Sequence, residues 1–274
     1  MSGIEMSRRT FMAAAGVAAA SALNARAQDG APQYRLAVKY GMIQEGDTPT
    51  EKLELAKACG FDGVEPGVRD DVDPEELKAA SEAVGLPIHG VVNGSVDDIP
   101  AAIDRALTYG ATSVLLVAGR VNDGTAYADN YERTQATIRA AIPYAEEKRI
   151  WLLVENVWNN FLLSPLEMAR YLDELESDWV GAYFDVGNVV RFGFPEHWIP
   201  VLGARIKKLD IKEYSRDKQN NEGLWKGFDV RIGDGSINWR RVRRELDAIG
   251  YRGWATAEVG GGGERRLRDI AERM

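Results

Sequence analysis

The chain has 274 residues, 45% hydrophobic and 28% charged, and its 42 acidic against 34 basic side chains give a formal net charge of −8. That composition is ordinary for a soluble globular protein, and the absence of a Lys/Arg block argues against nucleic acid as a partner. The single cysteine, Cys59, excludes an intramolecular disulfide and sits in "AKACG" as a small apolar residue at a helix end.

The chain opens with "SRRTFMAAAGVAAASALNARAQ", where paired Arg8 and Arg9 precede an Ala/Val-rich run and the small-residue site Ala25-Arg26-Ala27. This pattern resembles a twin-arginine export signal cut after Ala27. An ordinary secretory signal or an uncleaved anchor is the alternative, although the apolar run is short and weak for a membrane span. The expected division is therefore a signal over 1–27, a short linker over 28–33 and a folded domain over 34–274, with a periplasmic location and no stable membrane span.

From there, apolar β-rich runs alternate with amphipathic helical stretches. The predicted strands are 35–43, 63–67, 87–92, 113–119, 150–157, 181–189, 205–214 and 254–260. Between the first five lie "TEKLELAKACG", "DPEELKAASEAVG", "SVDDIPAAIDRALTYG" and "NYERTQATIRAAIPYAEEKR". Asp73 followed by Pro74 is a helix start signal, and Gly60, Gly85, Gly110 and Gly250 stand where helix C-caps belong. Eight strand–helix units without a composition break predict a (β/α)8 TIM barrel. A doubly wound sheet is the alternative, but no strand–GxGxxG–helix occurs. The polar, Gly-rich stretch 215–238 is the longest interruption, and long loops in compact domains usually serve function.

A barrel of this kind gathers its active site at the C-terminal ends of its strands. There the sequence places Glu65, Glu155-Asn156, Asp185 with Asn188, Asp210 with Lys212 and Glu213, and Glu258, with His89 on the third strand. Carboxylates that each follow an apolar run ("WLLVE", "GAYFD", "WATAE") would converge at one mouth. A divalent cation is the simplest way to hold several like charges together. Oxygen donors favour Mn²⁺ or Mg²⁺, with Co, Zn and Ca as alternatives. Separate pairing of each acid with a rim Arg or Lys is the competing reading.

The stretches "GFDGVEPG", "LLVENVWN", "YFDVGNV", "RIKKLDIKEY", "IGDGSINW" and "YRGWATAEV" together resemble the sugar isomerase/epimerase superfamily with the xylose-isomerase-like barrel. That superfamily includes ketose 3-epimerases and, more distantly, endonuclease IV. The resemblance spans essentially all of 34–274. It implies one divalent metal on Glu155, Asp185, Asp210 and Glu258, with Glu155 and Glu258 also exchanging a proton beside a substrate carbonyl through a metal-stabilised enediolate. Asp210 stands where the family's strand-7 pattern has a metal-binding His, and Asn188 where sugar epimerases often have His.

By the same resemblance His89 and Arg231 are candidate substrate contacts, with Glu65, Asn188 and Lys212 as further candidates. His89 reads equally as a satisfied core histidine and Glu65 as a structural residue or a partner of His89, and Trp158, Trp225 and Trp239 could wall a sugar face or pack in the core. His197 reads as a capping or packing residue. The expected substrate is a non-phosphorylated keto-sugar, since sugar phosphates are cytoplasmic metabolites. A 3-keto-glycoside lyase using the same site and a non-catalytic sugar-binding barrel are the alternatives. Endonuclease IV chemistry is disfavoured, because it relies on many histidines and this chain has 2. Nothing in the sequence marks an oligomer interface.

Overall fold

The computed structural model describes residues 34–274; the export signal and linker expected over 1–33 lie outside the described residues. Eight parallel strands form one sheet in the order β2-β1-β8-β7-β6-β5-β4-β3. They are β1 (Arg35–Lys39), β2 (Gly63–Glu65), β3 (Val91–Val92), β4 (Ser113–Leu116), β5 (Trp151–Glu155), β6 (Val180–Asp185), β7 (Ile206–Ile211) and β8 (Trp254–Ala257). Bridges Val64↔Ile88 and Gly67↔Val92 join the two edges. The sheet thus closes into the predicted TIM barrel.

The helices are α1 (Pro49–Ala58), α2 (Pro74–Val84), α3 (Ile99–Tyr109), α4 (Tyr127–Lys148), α5 (Pro165–Asp173), α6 (Pro195–Leu202), α7 (Arg216–Glu222), α8 (Trp239–Ala248) and α9 (Glu264–Arg273). Their starts follow from local chemistry. Asp73 caps α2 by accepting from the Glu75 and Glu76 amides at 3.0 Å. Thr48 and Glu51 close a capping box on α1, so that helix begins just before the stretch read from sequence. Each such cap stabilises its helix by about 1 kcal/mol. Gly85 and Gly110 end α2 and α3 in the left-handed conformation, as expected. The loop predicted over 215–238 contains α7 and a 3-10 turn over Leu224–Phe228. Ser215 nucleates α7 by accepting from the Lys218 amide at 3.2 Å.

The main apolar core lies between strands and helices. A second, smaller apolar cluster is formed by Leu115, Leu153 and Tyr183, with Val92, Val117 and Trp151 packed against it. Beside it runs a polar network. His89 Nδ1 is 3.0 Å from Lys208 Nζ and His89 Nε2 is 3.2 Å from Thr256 Oγ1. Thr256 Oγ1 lies 2.9 Å from the Tyr183 hydroxyl, which donates to Glu65 Oε2 at 2.8 Å. With Lys208 donating to Nδ1, the network assigns the His89 proton to Nε2 and the hydrogen bonds run one way toward Glu65. Buried polar groups are tolerated in a barrel when they are connected like this.

Candidate metal centre and active site

Strand pleating places the acids. Inward-facing residues alternate along each strand, so Glu155 at the end of β5, Asp185 at the end of β6, Asp210 on β7 and Glu258 just after β8 share one mouth. One carboxylate oxygen from each lies within 4.8 Å of the others. Asp185 and Asp210 are paired in register on adjacent strands, which brings their like charges together by construction. Glu155, Asp185 and Asp210 are buried and Glu258 is partly open.

Two lysines enter this cluster. Lys212 Nζ lies 2.8 Å from Asp185 Oδ2 and 3.2 Å from Glu258 Oε2. Lys39, at the end of β1, lies 2.9 Å from Asp210 Oδ1 and 2.5 Å from Glu65 Oε2. Burial opposes the charge on both ammonium groups, but the surrounding carboxylates outweigh it and hold both above the usual lysine range. Burial raises the Glu155 carboxyl well above the ordinary value, and the Glu258 charge adds to this. Burial also raises Asp185 and Asp210, partly offset by Lys212 and Lys39 respectively. In Glu258 the upward push of burial is overcome by Lys212 and Lys39, and its carboxyl lies below the usual range. Two carboxyl groups at one mouth are thereby pushed apart, Glu258 toward the charged form and Glu155 toward the protonated one.

The backbone around the acids is fixed by side-chain amides. Asn156 accepts from the Asp185 amide at 2.9 Å and donates to the Asp185 carbonyl at 2.8 Å. The Asn188 amide donates to Asp185 Oδ1 at 2.8 Å, and its side chain bridges Glu155 at 3.4 Å and the Asn156 carbonyl at 3.0 Å.

This donor set suits a divalent cation. Asp185 Oδ2, Asp210 Oδ1 and Glu258 Oε2 are buried, face lysine ammonium groups, and accept no well-directed hydrogen bond. Together with Glu65, five carboxylates converge against Lys39 and Lys212, an excess of negative charge that a hard cation would neutralise. The oxygen-only set favours Mg²⁺ or Mn²⁺ over thiophilic ions.

Above the acids opens a cavity of about 710 Å³, lined on one side by Glu155, Asn188, Lys212 and Glu258 and on another by Trp158, Trp225 and Phe228. The Trp158 ring centroid is 5.0 Å from that of Trp225 and 4.9 Å from that of Phe228. Trp158 Nε1 donates to the Asn188 carbonyl at 2.8 Å, which ties the aromatic wall to the acidic floor.

The family profile described as "Xylose isomerase-like TIM barrel" matches residues 53–274. The chain belongs to this family. Among its relatives, the putative L-ribulose-5-phosphate 3-epimerase SgbU of Escherichia coli is 25% identical over 233 residues, covering 74% of this chain and 80% of that protein. The solved structure of the 3-keto-D-glucoside 4-epimerase YcjR from E. coli superposes with a TM-score of 0.70 at 14% identity, over 88% of this chain and 97% of that one. The D-allulose 3-epimerase from Methylomonas sp. gives 0.69 at 18% identity, over 87% and 96%. These two structural likenesses establish the shared fold.

Within this xylose isomerase-like barrel the sequence candidates divide into three groups. Glu155, Asp185, Asp210, Glu258, Asn188 and Lys212 assemble at the mouth. Glu65 and His89 lie in the barrel interior outside the cavity lining, Glu65 on Lys39 and Tyr183, and His89 stacked on Trp254 at 4.5 Å. Arg231 is exposed and paired with Asp234 at 2.9 Å, also outside the lining. Trp158 and Trp225 line the cavity, whereas Trp239 Nε1 donates to Glu213 Oε2 at 2.8 Å. Glu213 also accepts from the Tyr214, Gly233 and Ile237 amides, so it anchors the "IGDGSINW" loop. His197 packs its ring 5.4 Å from that of Phe194 at the start of α6. Lys39 is a site residue that sequence reasoning missed; its signal was a lysine set inside the first predicted strand, after the apolar Leu36, Ala37 and Val38.

Proposed function

We propose that this protein is a divalent-metal-dependent isomerase or epimerase that moves a proton at the carbon next to the carbonyl of a non-phosphorylated keto-sugar. The observation that carries the reading is the convergence of Glu155, Asp185, Asp210 and Glu258 from four separate strands, with Glu155 and Glu258 lining a cavity of about 710 Å³. The names of the family relatives, which are sugar epimerases, support the reaction class.

Glu155, Asp185, Asp210 and Glu258 would hold the cation, which when bound supplies Lewis-acid polarisation of the substrate carbonyl. Glu155 and Glu258 project from β5 and β8, so a flat substrate between them presents one face to each. One carboxylate takes the proton from the carbon, and the C–H electron pair moves into the bond toward the carbonyl carbon. Lys212 Nζ stands beside the acids as a donor for the negative charge that develops on oxygen. Return of a proton from the other face inverts the carbon; return to the neighbouring carbon isomerises the sugar.

The aromatic wall supports an uncharged substrate. Besides Lys212, already paired with Asp185 and Glu258, Arg120 is the one basic side chain among the described residues lining the cavity. The curated relative SgbU carries a phosphorylated substrate in its name, so free and phosphorylated ketoses should be compared directly. Export by the twin-arginine route to the periplasm is part of the same proposal. It is supported by Arg8-Arg9 and the Ala-rich run and tested by fractionation and N-terminal sequencing of the mature chain.

The decisive experiment combines elemental analysis with deuterium incorporation into ketoses in D₂O, for wild type, Glu155→Gln and Glu258→Gln. About one divalent ion per chain and exchange reduced at least 10²-fold in each variant are expected. Absence of bound metal and of exchange with every free and phosphorylated ketose would overturn the reading.

A further inference from the structure

The barrel has a second opening, opposite the acids. A cavity of about 590 Å³ lies where β1, β5, β7 and β8 begin, at Arg35, Trp151, Ile206 and Trp254, and it shares no lining residue with the cavity at the mouth. Arg35, Lys207, Lys208 and Arg252 line it, and no Asp or Glu does. In a chain with 42 acidic against 34 basic residues, this is a local reversal of sign.

Strand register gathers these charges. Arg35 pairs with Trp254 and Leu209 with Ala255, so Lys207, two residues before Leu209, comes level with Gly253. Since β1, β8 and β7 are consecutive in the sheet, Arg35, Arg252 and Lys207 stand on one rim by construction. Their partners do not cancel the charge. Arg35 lies over the Trp254 ring at 4.1 Å and Lys207 over the Trp151 ring at 5.7 Å. Arg252 donates to the Tyr251 carbonyl at 2.7 Å and faces Asp247 Oδ1 at 3.6 Å. Lys208 is 1% exposed, and its hydrogen-bond partners are the carbonyl and Nδ1 of His89. Among the described residues no carboxylate oxygen comes within 4.0 Å of Arg35, Lys207 or Lys208.

Solvated rim cations resting on tryptophan would account for Arg35 and Lys207 singly. They would not account for a concave wall free of carboxylates with a buried lysine beneath it. Charges of one sign around a cleft focus their field and raise the local concentration of the opposite ion.

We infer that this cavity binds a small organic anion, a phosphate ester or a carboxylate, with Arg35 and Lys207 as its principal charge partners. A guanidinium presents a planar fork that matches either oxyanion, and an ammonium adds a point charge. At about 30 Å³ of liquid volume per water-sized group, the cavity holds on the order of twenty non-hydrogen atoms, the size of a metabolite. The site is independent of the chemistry proposed for the mouth.

The test is calorimetric titration of the full chain with inorganic phosphate, succinate and, as an uncharged control, succinamide. Wild type is compared with Arg35→Gln, Arg35→Lys, Lys207→Gln and Glu258→Gln. Arg35 is exposed and Lys207 half-buried, so these substitutions leave the core untouched. At least one anion should bind with a dissociation constant below about 1 mM, and succinamide should not bind. Affinity should fall about tenfold or more in Arg35→Gln and in Lys207→Gln. It should be largely kept in Arg35→Lys and unchanged in Glu258→Gln, which separates this site from the mouth. Tighter binding of phosphate than of succinate would assign a phosphate ester, and the reverse a carboxylate. Absence of saturable binding by either anion, equal binding of succinamide, or an affinity lost in Glu258→Gln and untouched in Arg35→Gln and Lys207→Gln would overturn the site.

Discussion

Lys39 Nζ stands 2.9 Å from Asp210 Oδ1, although the two residues belong to β1 and β7, strands separated in the sheet by β8. The pair accounts for an aspartate where the resemblance places a histidine. A neutral ligand there adds no charge; an aspartate adds one, and Lys39 returns the balance. Breaking a buried pair by removing one partner costs about 3–5 kcal/mol. Lys39→Met should therefore lower unfolding free energy by an amount of that order and weaken metal retention, read by urea denaturation and elemental analysis. Asp210→His alone should also destabilise, because it leaves Lys39 facing only Glu65. The double variant should recover much of both losses, and a double variant no more stable than Lys39→Met alone would contradict the compensation.

Gly187, in the "YFDVGNV" stretch, is required by close approach. A Cβ there would stand 2.4 Å from Lys212 Cβ and 3.0 Å from the Lys212 carbonyl carbon. Gly187→Ala should push Lys212 away from Asp185 and Glu258. The expected result is a modest stability loss of about 1–3 kcal/mol with a disproportionate loss of turnover, on the order of 10²-fold. Near-normal turnover in a folded Gly187→Ala variant would show that Lys212 need not sit where it does.

The eight strands were legible because each apolar run is bounded by glycine, proline or charge, and because α2 and α3 carry strong end signals. Most strands were read too long at their C-terminal ends, as with 181–189 for Val180–Asp185. Those ends leave the ladder to build the mouth while their side chains, Val186 and Val189 among them, stay buried, so the sequence keeps its strand-like character where hydrogen-bonded pairing has stopped. Glu155, Asp185 and Glu258 were legible for the same reason: a lone acid closing an apolar run has nowhere else to point. Asp210, set between Lys208 and Lys212, was placed only by the resemblance.

What could not be read was depth and pairing. His89 precedes the short β3 and stacks on Trp254 at the opposite end of β8 from Glu258, a level no periodicity encodes. Lys39 acquires meaning only when the barrel brings β1 to within reach of β7. Arg231 folds back on Asp234 three residues away, a local ion pair that competes with any reach toward substrate.

Glu213 supports the loop that follows β7 by collecting four donors: the Tyr214, Gly233 and Ile237 amides and Trp239 Nε1. Gly235 passes so close that a Cβ would lie 2.3 Å from the carboxylate. Glu213→Gln replaces one acceptor oxygen with a donor and should cost about 1–3 kcal/mol. Hydrogen exchange should then show faster exchange at the Gly233 and Ile237 amides, with the β5 and β6 amides unchanged. Uniform loss of protection across the barrel would mean that Glu213 holds more than this loop.

His89 makes acid stability a further test. Burial, reinforced by Lys208, Lys39 and Arg35, holds its imidazole well below the ordinary value of 6.5, so it stays neutral in the folded protein. The unfolded chain binds a proton at His89 once the pH falls below about 6.5, and the native state does not. The folded pKa is depressed; its contribution to stability is therefore complete above pH 6.5 and is lost as pH falls toward the native value, at up to about 1.4 kcal/mol per unit. Lys208, pushed down to about 7 by burial, is already largely charged at pH 6.5 and changes little below it. Wild type should thus lose about 2 kcal/mol more than His89→Gln between pH 6.5 and 5 in paired urea titrations. The variant starts lower, having lost the Trp254 stack and the bond to Lys208, so the gap between the two proteins should narrow with acid. A gap that stays constant would mean that His89 is already protonated in the fold, and the direction of hydrogen bonding from Lys208 to Glu65 would have to be reversed.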